Sequence, residues 1–231
     1  MNTIKPQTVR AIAFDLDGTL IDSAPDLGAA LNQMLTQLNL PSVGMAEVRG
    51  WVGNGMKMLV TRSLVHHAAD ASESAIQHAL ALFSAAYAQH LSINTVVYNG
   101  VMESLTALYK AGYRLALITN KASCYLPDIL RAYHMDEMFE VVLGGDSLLE
   151  KKPHPLPLLH VCEAFDVEPH QLLMVGDSKN DIEAGKNAGC PTLGLTYGYN
   201  YGEHISLSAP DMTADSLIEL LPVLIPATET I

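Results

Sequence analysis

Apolar positions run along this chain in two different rhythms. From residue 94 onward, short continuous apolar runs alternate with amphipathic stretches. Arg114–Asn120 (RLALITN), Phe139–Gly145, Gln171–Asp177 and Pro191–Thr196 read as buried strands, and segments near 100–111, 123–134, 155–165 and 180–188 read as helices. Such alternation predicts a parallel sheet with helices on both faces, because strands covered on two sides are apolar throughout. Residues 22–93 show almost no strand signal. Pro25–Asn39 carries Leu27, Leu31, Met34, Leu35 and Leu38, and Ser72–Leu91 carries Ile76, Leu80, Phe83 and Tyr87, both at helical spacing. The pattern therefore predicts an α/β core from residues 1–21 and 94–231, with a helical insert at 22–93 directly after the first strand. Internal repeats, low-complexity tracts and a flexible linker are absent from the sequence.

That first strand (Val9, Ile12, Phe14) runs straight into Asp15-Leu16-Asp17-Gly18-Thr19-Leu20. Residues i and i+2 of an extended chain share a side, so both carboxylates face the space beyond the strand's C-terminal end. Left alone they repel, and a cation or a proton is expected between them. Three later strand ends also finish in polar residues. The first delivers Thr119 and Asn120. The second leads to Lys151-Lys152-Pro153-His154-Pro155, and the third to Gly176-Asp177-Ser178-Lys179-Asn180-Asp181. In a parallel sheet these ends share one edge, where ligands bind.

A hydroxyl, a lysine and two pairs of carboxylates suit hydrolysis of a phosphate ester. One carboxylate can act as nucleophile and a second as general acid, then base. Mg²⁺ takes hard oxygen ligands and needs only one or two carboxylates beside the phosphate. Lysine and hydroxyl groups stabilise the phosphoryl oxygens.

Composition narrows the reading further. The 231 residues are 49% hydrophobic, ample for a core, and the formal net charge is −12. That balance argues against a nucleic-acid partner, which demands a basic face. It does not argue against an anionic substrate, since a bound cation reverses the local sign. Three cysteines without a CxxC pattern suit a reducing compartment. Met1–Pro6 lacks the apolar core of a signal peptide, and charges and prolines interrupt even Leu217–Ala227. The expectation is a cytoplasmic protein with no membrane partner, monomeric or homodimeric.

Taken in order, Asp15-Leu16-Asp17-Gly18-Thr19, Thr119, Lys152-Pro153 and Gly176-Asp177 with Asp181 resemble the four motifs of the haloacid-dehalogenase-like hydrolase superfamily. The resemblance spans essentially the whole chain. It implies a Rossmann-like core with residues 22–93 as a small mobile helical cap. It implies Asp15 as nucleophile, Asp17 as general acid/base, and Mg²⁺ held by Asp15, Asp177 and the carbonyl of Asp17. It gives Thr119, Asn120, Lys152 and Gly18 to phosphate binding, and Asp181 to support of the metal or of Lys152.

Three segments look most like bacterial phosphoglycolate phosphatases: Gly18–Leu27, Trp51-Val52-Gly53-Asn54-Gly55, and Leu195–Glu203. This implies hydrolysis of 2-phosphoglycolate, a small phosphorylated carboxylic acid. Gly53–Gly55 then reads as a loop reaching the substrate, with Asn54 as a contact. Arg49 and Lys57 are the nearest cations for a substrate carboxylate, and Arg49 is the one assigned there. Tyr197–Tyr201 follows a strand end, so its backbone can approach the site. Other chemistries share the frame. Asp17 disfavours a dehalogenase, and a phosphonate hydrolase would need a Schiff-base lysine, for which Lys57 is the insert's only candidate. A phosphomutase, or a phosphatase for another small ester such as a sugar phosphate, keeps the same core. A non-catalytic binding protein would be expected to have lost a motif carboxylate, and none is lost.

Overall fold

The computed structural model describes residues 4–225. Met1–Thr3 of the N-terminal stretch considered above, and Pro226 and Ala227 of the late apolar run, lie outside the described residues. The chain enters through β1 (Ala11–Phe14) and β2 (Ile21–Asp22). Four helices follow: α1 (Ala24–Gln37), α2 (Met45–Trp51), α3 (Met56–His66) and α4 (Glu73–His90). It returns through β3 (Val96–Val97), which pairs antiparallel with β2. The remainder is α5 (Val101–Lys110), β4 (Arg114–Ile118), α6 (Leu126–Ala132), β5 (Val141–Leu143), α7 (Leu156–Phe165), β6 (Leu172–Gly176), α8 (Lys179–Ala188), β7 (Thr192–Leu195), β8 (Met212–Ala214) and α9 (Leu221–Leu224).

Six strands form one parallel sheet in the order β5-β4-β1-β6-β7-β8. β1 lies in the middle, with Phe14 level with Leu117 on one side and Val175 on the other. All four β1 residues are buried, for a reason visible in their alternation. Ile12 and Phe14 enter one apolar cluster with Leu115, Leu117, Leu173 and Val175; Ala11 and Ala13 enter a second with Ala116, Leu172 and Met174. Helix α7 supplies the second cluster with Leu158, Val161 and Phe165. The first continues into the insert through Leu31, Met34, Phe83 and Tyr87, where α1 packs along α4. The architecture is the Rossmann-like α/β fold that the alternation predicts.

The periodicity did not announce every element. Helix α2 has seven residues and one buried side chain, Val48, so it carries no readable stripe. In α3 the buried positions Leu59, Val60, Ser63 and Leu64 include a serine. Strand β8 is a three-residue sheet edge with only Ala214 buried. The β2–β3 pair, two residues per strand, ties the two chain crossings between the helices and the sheet. Among the described residues no helix is long and apolar enough to cross a membrane.

Candidate active site

The sheet places the C-terminal ends of β1, β4 and β6 side by side. Asp15, directly after β1, anchors its backbone N–H on Val175 O at 3.0 Å. The chain then turns tightly, with the amides of Leu20 and Ile21 both donating to Leu16 O at 2.9 and 3.1 Å. Gly18 sits inside this turn at φ +93°, and a Cβ there would fall 2.3 Å from Asp177 Oδ2. Only glycine satisfies both the left-handed backbone and the close approach.

Lys152 is almost wholly buried and joins two carboxylates. Its Nζ lies 2.8 Å from Asp15 Oδ1 and 2.6 Å from Asp181 Oδ1. The contact to Asp15 is off the line of a hydrogen bond, so Asp15 Oδ1 remains a buried oxygen without a hydrogen-bond partner. Asp181 uses its other oxygen to accept from Ser178 N (3.0 Å) and Ser178 Oγ (2.8 Å) at the start of α8. One residue thus both caps the helix and holds the lysine.

Asp177, after β6, accepts from Thr19 Oγ1 at 2.6 Å and from the Tyr199 amide at 2.8 Å. The Tyr197–Tyr201 segment presses close, since a Cβ on Gly198 would meet Asp177 Oδ2 at 2.2 Å. Asp15, Asp177 and Asp181 are buried together, each offering an oxygen within 4.8 Å of the others. Burial pushes the Asp15 carboxyl up to about 6, with Lys152 opposing and the Asp181 charge adding to the rise. Burial, then the charges of Asp181 and Asp15, push Asp177 up to about 8. Lys152 is held above its ordinary value, because its two carboxylate partners outweigh the burial that would lower it.

This donor set fits a divalent cation. Three buried carboxylates lie together while the one ammonium among them, Lys152, reaches only Asp15 and Asp181, their oxygens are hard ligands, and Asp15 Oδ1 has no aligned hydrogen-bond donor. A second positive charge is the natural counterweight to a cluster whose carboxyls are otherwise driven toward protonation.

Beside this cluster lies a small, partly open cavity with about 40 Å³ accessible to the centre of a water molecule, room for about three waters. The sheet edge contributes Asp15, Asp17, Thr119, Asn120 and Lys121; the helical side contributes Leu27, Val52, Met56, Leu59 and Tyr87, with Gly53 and Gly55. Asp15 and Asp17 therefore do face one space. Asn120 Nδ2 donates to Gly53 O and to Lys152 O, both at 3.0 Å, and its Oδ1 is buried without a partner. Asn180 Nδ2 also donates to Gly53 O, at 3.1 Å. The 53–55 turn is thus docked on the sheet edge by two asparagines.

Lys121 is the residue that sequence reasoning passed over. It is buried, and its Nζ lies 3.0 and 3.2 Å from the two oxygens of Asp17, which also accepts from Ser23 Oγ. Its charge is held firmly, since Asp17 outweighs the burial that would lower its pKa. The signal was its position directly after Thr119-Asn120 at a strand end.

The predicted cap contacts fall elsewhere. Arg49 binds Asp22 at 2.6 Å, is 38% exposed at its side chain, and does not line the cavity. Lys57 pairs with Glu73 at the surface. Asn54 accepts from Arg62 at 2.7 Å and contacts Asn180, so it borders the cavity's outer side rather than lining it.

Known proteins share this arrangement of sequence and fold. The chain is 47% identical over 222 residues to a phosphoglycolate phosphatase of Vibrio vulnificus strain YJ016, covering 95% of this chain and 97% of that one. It is 42% identical over 237 residues to one of Salmonella typhimurium, covering 95% and 94%. The crystal structure of a predicted phosphoglycolate phosphatase from Haemophilus somnus 129PT superposes with a TM-score of 0.90 at 40% identity, over 94% of this chain and 98% of that one. The haloacid dehalogenase-like hydrolase family matches residues 12–195, from within β1 to the end of β7, and so includes each of the four carboxylates and both buried lysines. By that match and the curated relatives together, this chain belongs to the haloacid dehalogenase-like hydrolases.

Proposed function

We propose that the protein is a Mg²⁺-dependent phosphatase that hydrolyses 2-phosphoglycolate to glycolate and phosphate. The observation that carries this reading is the single buried group of Asp15, Lys152, Asp177 and Asp181, with Asp17 and Thr119 bordering the same cavity. The substrate assignment draws on the names of the relatives, and the reaction class on the groups themselves.

In this mechanism a carboxylate oxygen of Asp15 attacks phosphorus and the ester P–O bond breaks, leaving the phosphoryl group on Asp15. Asp17 gives its proton to the departing glycolate oxygen, then takes one from the water that cleaves the acyl phosphate. Lys152 fixes Asp15 and meets the phosphoryl oxygens, and Asp181 keeps that ammonium in place. Thr119 and Asn120 add hydrogen bonds to the same oxygens. Asp15, Asp177 and the carbonyl of Asp17 would hold the cation, which neutralises charge on the phosphoryl group when bound. Residues 22–93 act as a mobile cap: space for about three waters does not admit the substrate, so the helices open to load it and close to exclude water. The two short crossings at β2 and β3 are the hinge.

The test is phosphate release from 2-phosphoglycolate, sugar phosphates and nucleotides, with Mg²⁺ and with EDTA. Metal-dependent release that strongly favours 2-phosphoglycolate is expected. Preference for another ester discards the substrate, and metal-independent release discards the mechanism.

A further inference from the structure

A substrate with a carboxylate besides its phosphate needs a second positive contact inside the cavity. The helical side offers none. Its side chains there are Leu27, Val52, Met56, Leu59 and Tyr87, and the insert's cations are committed elsewhere, Arg49 to Asp22, Lys57 to Glu73, and Arg62 to Trp51 O and Asn54 Oδ1. Lys151, on the sheet-edge side, donates to Asn54 O at 2.8 Å and does not line the cavity. An anionic tail pressed against an apolar wall without a partner is strongly disfavoured.

Among the described residues, Lys121 is the one cation that lines the cavity. Its side chain is 3% exposed, and it stands 4.9 Å over the Tyr87 ring, which fixes its stem between the two walls. An ammonium has three donors. Two point at the Asp17 oxygens, at 3.0 and 3.2 Å, and these are donors that a second carboxylate can share or replace.

We propose that Lys121 is the specificity-determining residue of this site: its ammonium binds the carboxylate of the substrate while Lys152 serves the phosphate. The proposal rests on the 2-phosphoglycolate reading and deepens it. The cation that reads the substrate then comes from the sheet edge, one residue beyond Asn120, and the insert supplies an apolar lid. Lys121 also stays within reach of Asp17, so the group that recognises the substrate adjoins the group that protonates its leaving oxygen.

The experiment compares kcat/KM for 2-phosphoglycolate with that for ethyl phosphate, the same ester without the carboxylate, in the Mg²⁺-loaded full chain. The wild-type ratio is expected to be high. Lys121→Gln lowers that ratio by about tenfold or more, the size of a lost charge-assisted hydrogen bond, and Lys121→Arg keeps most of it. Equal losses on both esters overturn the proposal, because they show that Lys121 serves Asp17 alone. A wild-type ratio near one fails the substrate reading and the proposal with it. A high wild-type ratio that Lys121→Gln retains fails the proposal alone. Should Lys121→Gln not fold, the ¹⁵N resonance of the Lys121 ammonium in the wild-type protein decides. It moves with phosphonoacetate and not with ethylphosphonate if the proposal holds, and moves equally with both if it does not.

Discussion

Asp15, Asp17, Thr119, Asn120 and Lys121 line one wall of the cavity, while Leu27, Val52, Met56 and Leu59 line the wall that faces it. The first wall is set by sheet register: each side chain follows a strand end whose neighbours are fixed by backbone pairing. The second comes from α1, α3 and the 51–55 turn, whose positions depend on helix packing and on hydrogen bonds from Asn120 and Asn180 to Gly53. Charge is thus concentrated where the scaffold is rigid, and the facing wall is apolar and built on elements joined to the sheet by two short crossings. Reacting groups need positions good to fractions of an ångström, whereas a lid needs only to fit and to exclude water.

The largest effect that could break this comparison is at Asp15. Asp15→Asn is expected to cut phosphate release by at least about a thousandfold. The fold should survive, and the melting temperature should hold or rise, because the change removes one of three crowded buried carboxylates while Lys152 keeps Asp181 at 2.6 Å. Near-normal turnover in this variant would move the chemistry away from the sheet-edge wall altogether.

The same division explains what could be read from the sequence. Strand ends in a parallel sheet share an edge, so Asp15, Thr119, Lys152 and Asp177 could be brought together from apolar runs and their polar endings alone. The insert gives no such rule. Whether Arg49 or Lys57 turns toward the cavity depends on which acidic neighbour captures it, and Asp22 and Glu73 do so through folding that no local pattern encodes. Lys121 was passed over for a different cause: it stands two residues past Thr119, as Asp17 does past Asp15, so the same alternation places it on the cavity side, but the lysine before Pro153 had already filled the role of the site's cation. Gly198 was legible in part: the 197–201 backbone follows a strand end and does approach the site, whereas its contact with Asp177 in particular is set by the path of the loop after β7.

Gly198 offers the next test. A methyl group there would meet Asp177 Oδ2 at 2.2 Å, with Asp177 already held by Thr19 and the Tyr199 amide. Gly198→Ala is expected to weaken Mg²⁺ activation about 10- to 100-fold, the usual effect of displacing a ligand's supporting contacts. Titration of activity against Mg²⁺ measures it. An unchanged titration would show that Asp177 does not hold the cation.

pH gives a smaller handle on the same wall. Asp15 at about 6 and Asp177 at about 8 both lie above the ordinary carboxyl value of 3.8. The folded protein therefore keeps protons that the unfolded chain has released, and the metal-free protein loses stability as pH rises through that window. A cation competes with those protons, so its affinity rises over the same interval, by up to about tenfold per pH unit for each proton displaced. Thermal melts with and without Mg²⁺ at pH 6, 7 and 8 should show the metal-induced increase growing with pH. An increase independent of pH would place the cation on other groups.

The smallest expected effect concerns the joint between the walls. The Tyr199 phenol donates to Asp22 Oδ1 at 2.7 Å and accepts from the Ala24 amide at 3.0 Å, at the start of α1, while its own amide holds Asp177. One residue thus touches the β2 crossing through its side chain and the carboxylate cluster through its backbone. Tyr199→Phe removes the first connection and keeps the second. Asp22 retains Arg49 at 2.6 Å but the buried Ala24 amide loses its acceptor, so the variant should lose about 1–3 kcal/mol of stability in chemical denaturation. Its Mg²⁺ titration should match the wild type, because the amide that orients Asp177 is unchanged. KM should be the parameter that moves, since the phenol restrains the β2 crossing that the proposed cap closure would use as its hinge. If Mg²⁺ affinity falls instead, the two walls share strain through this loop, and closure of the helices would then help assemble the metal-side carboxylates rather than only shield them.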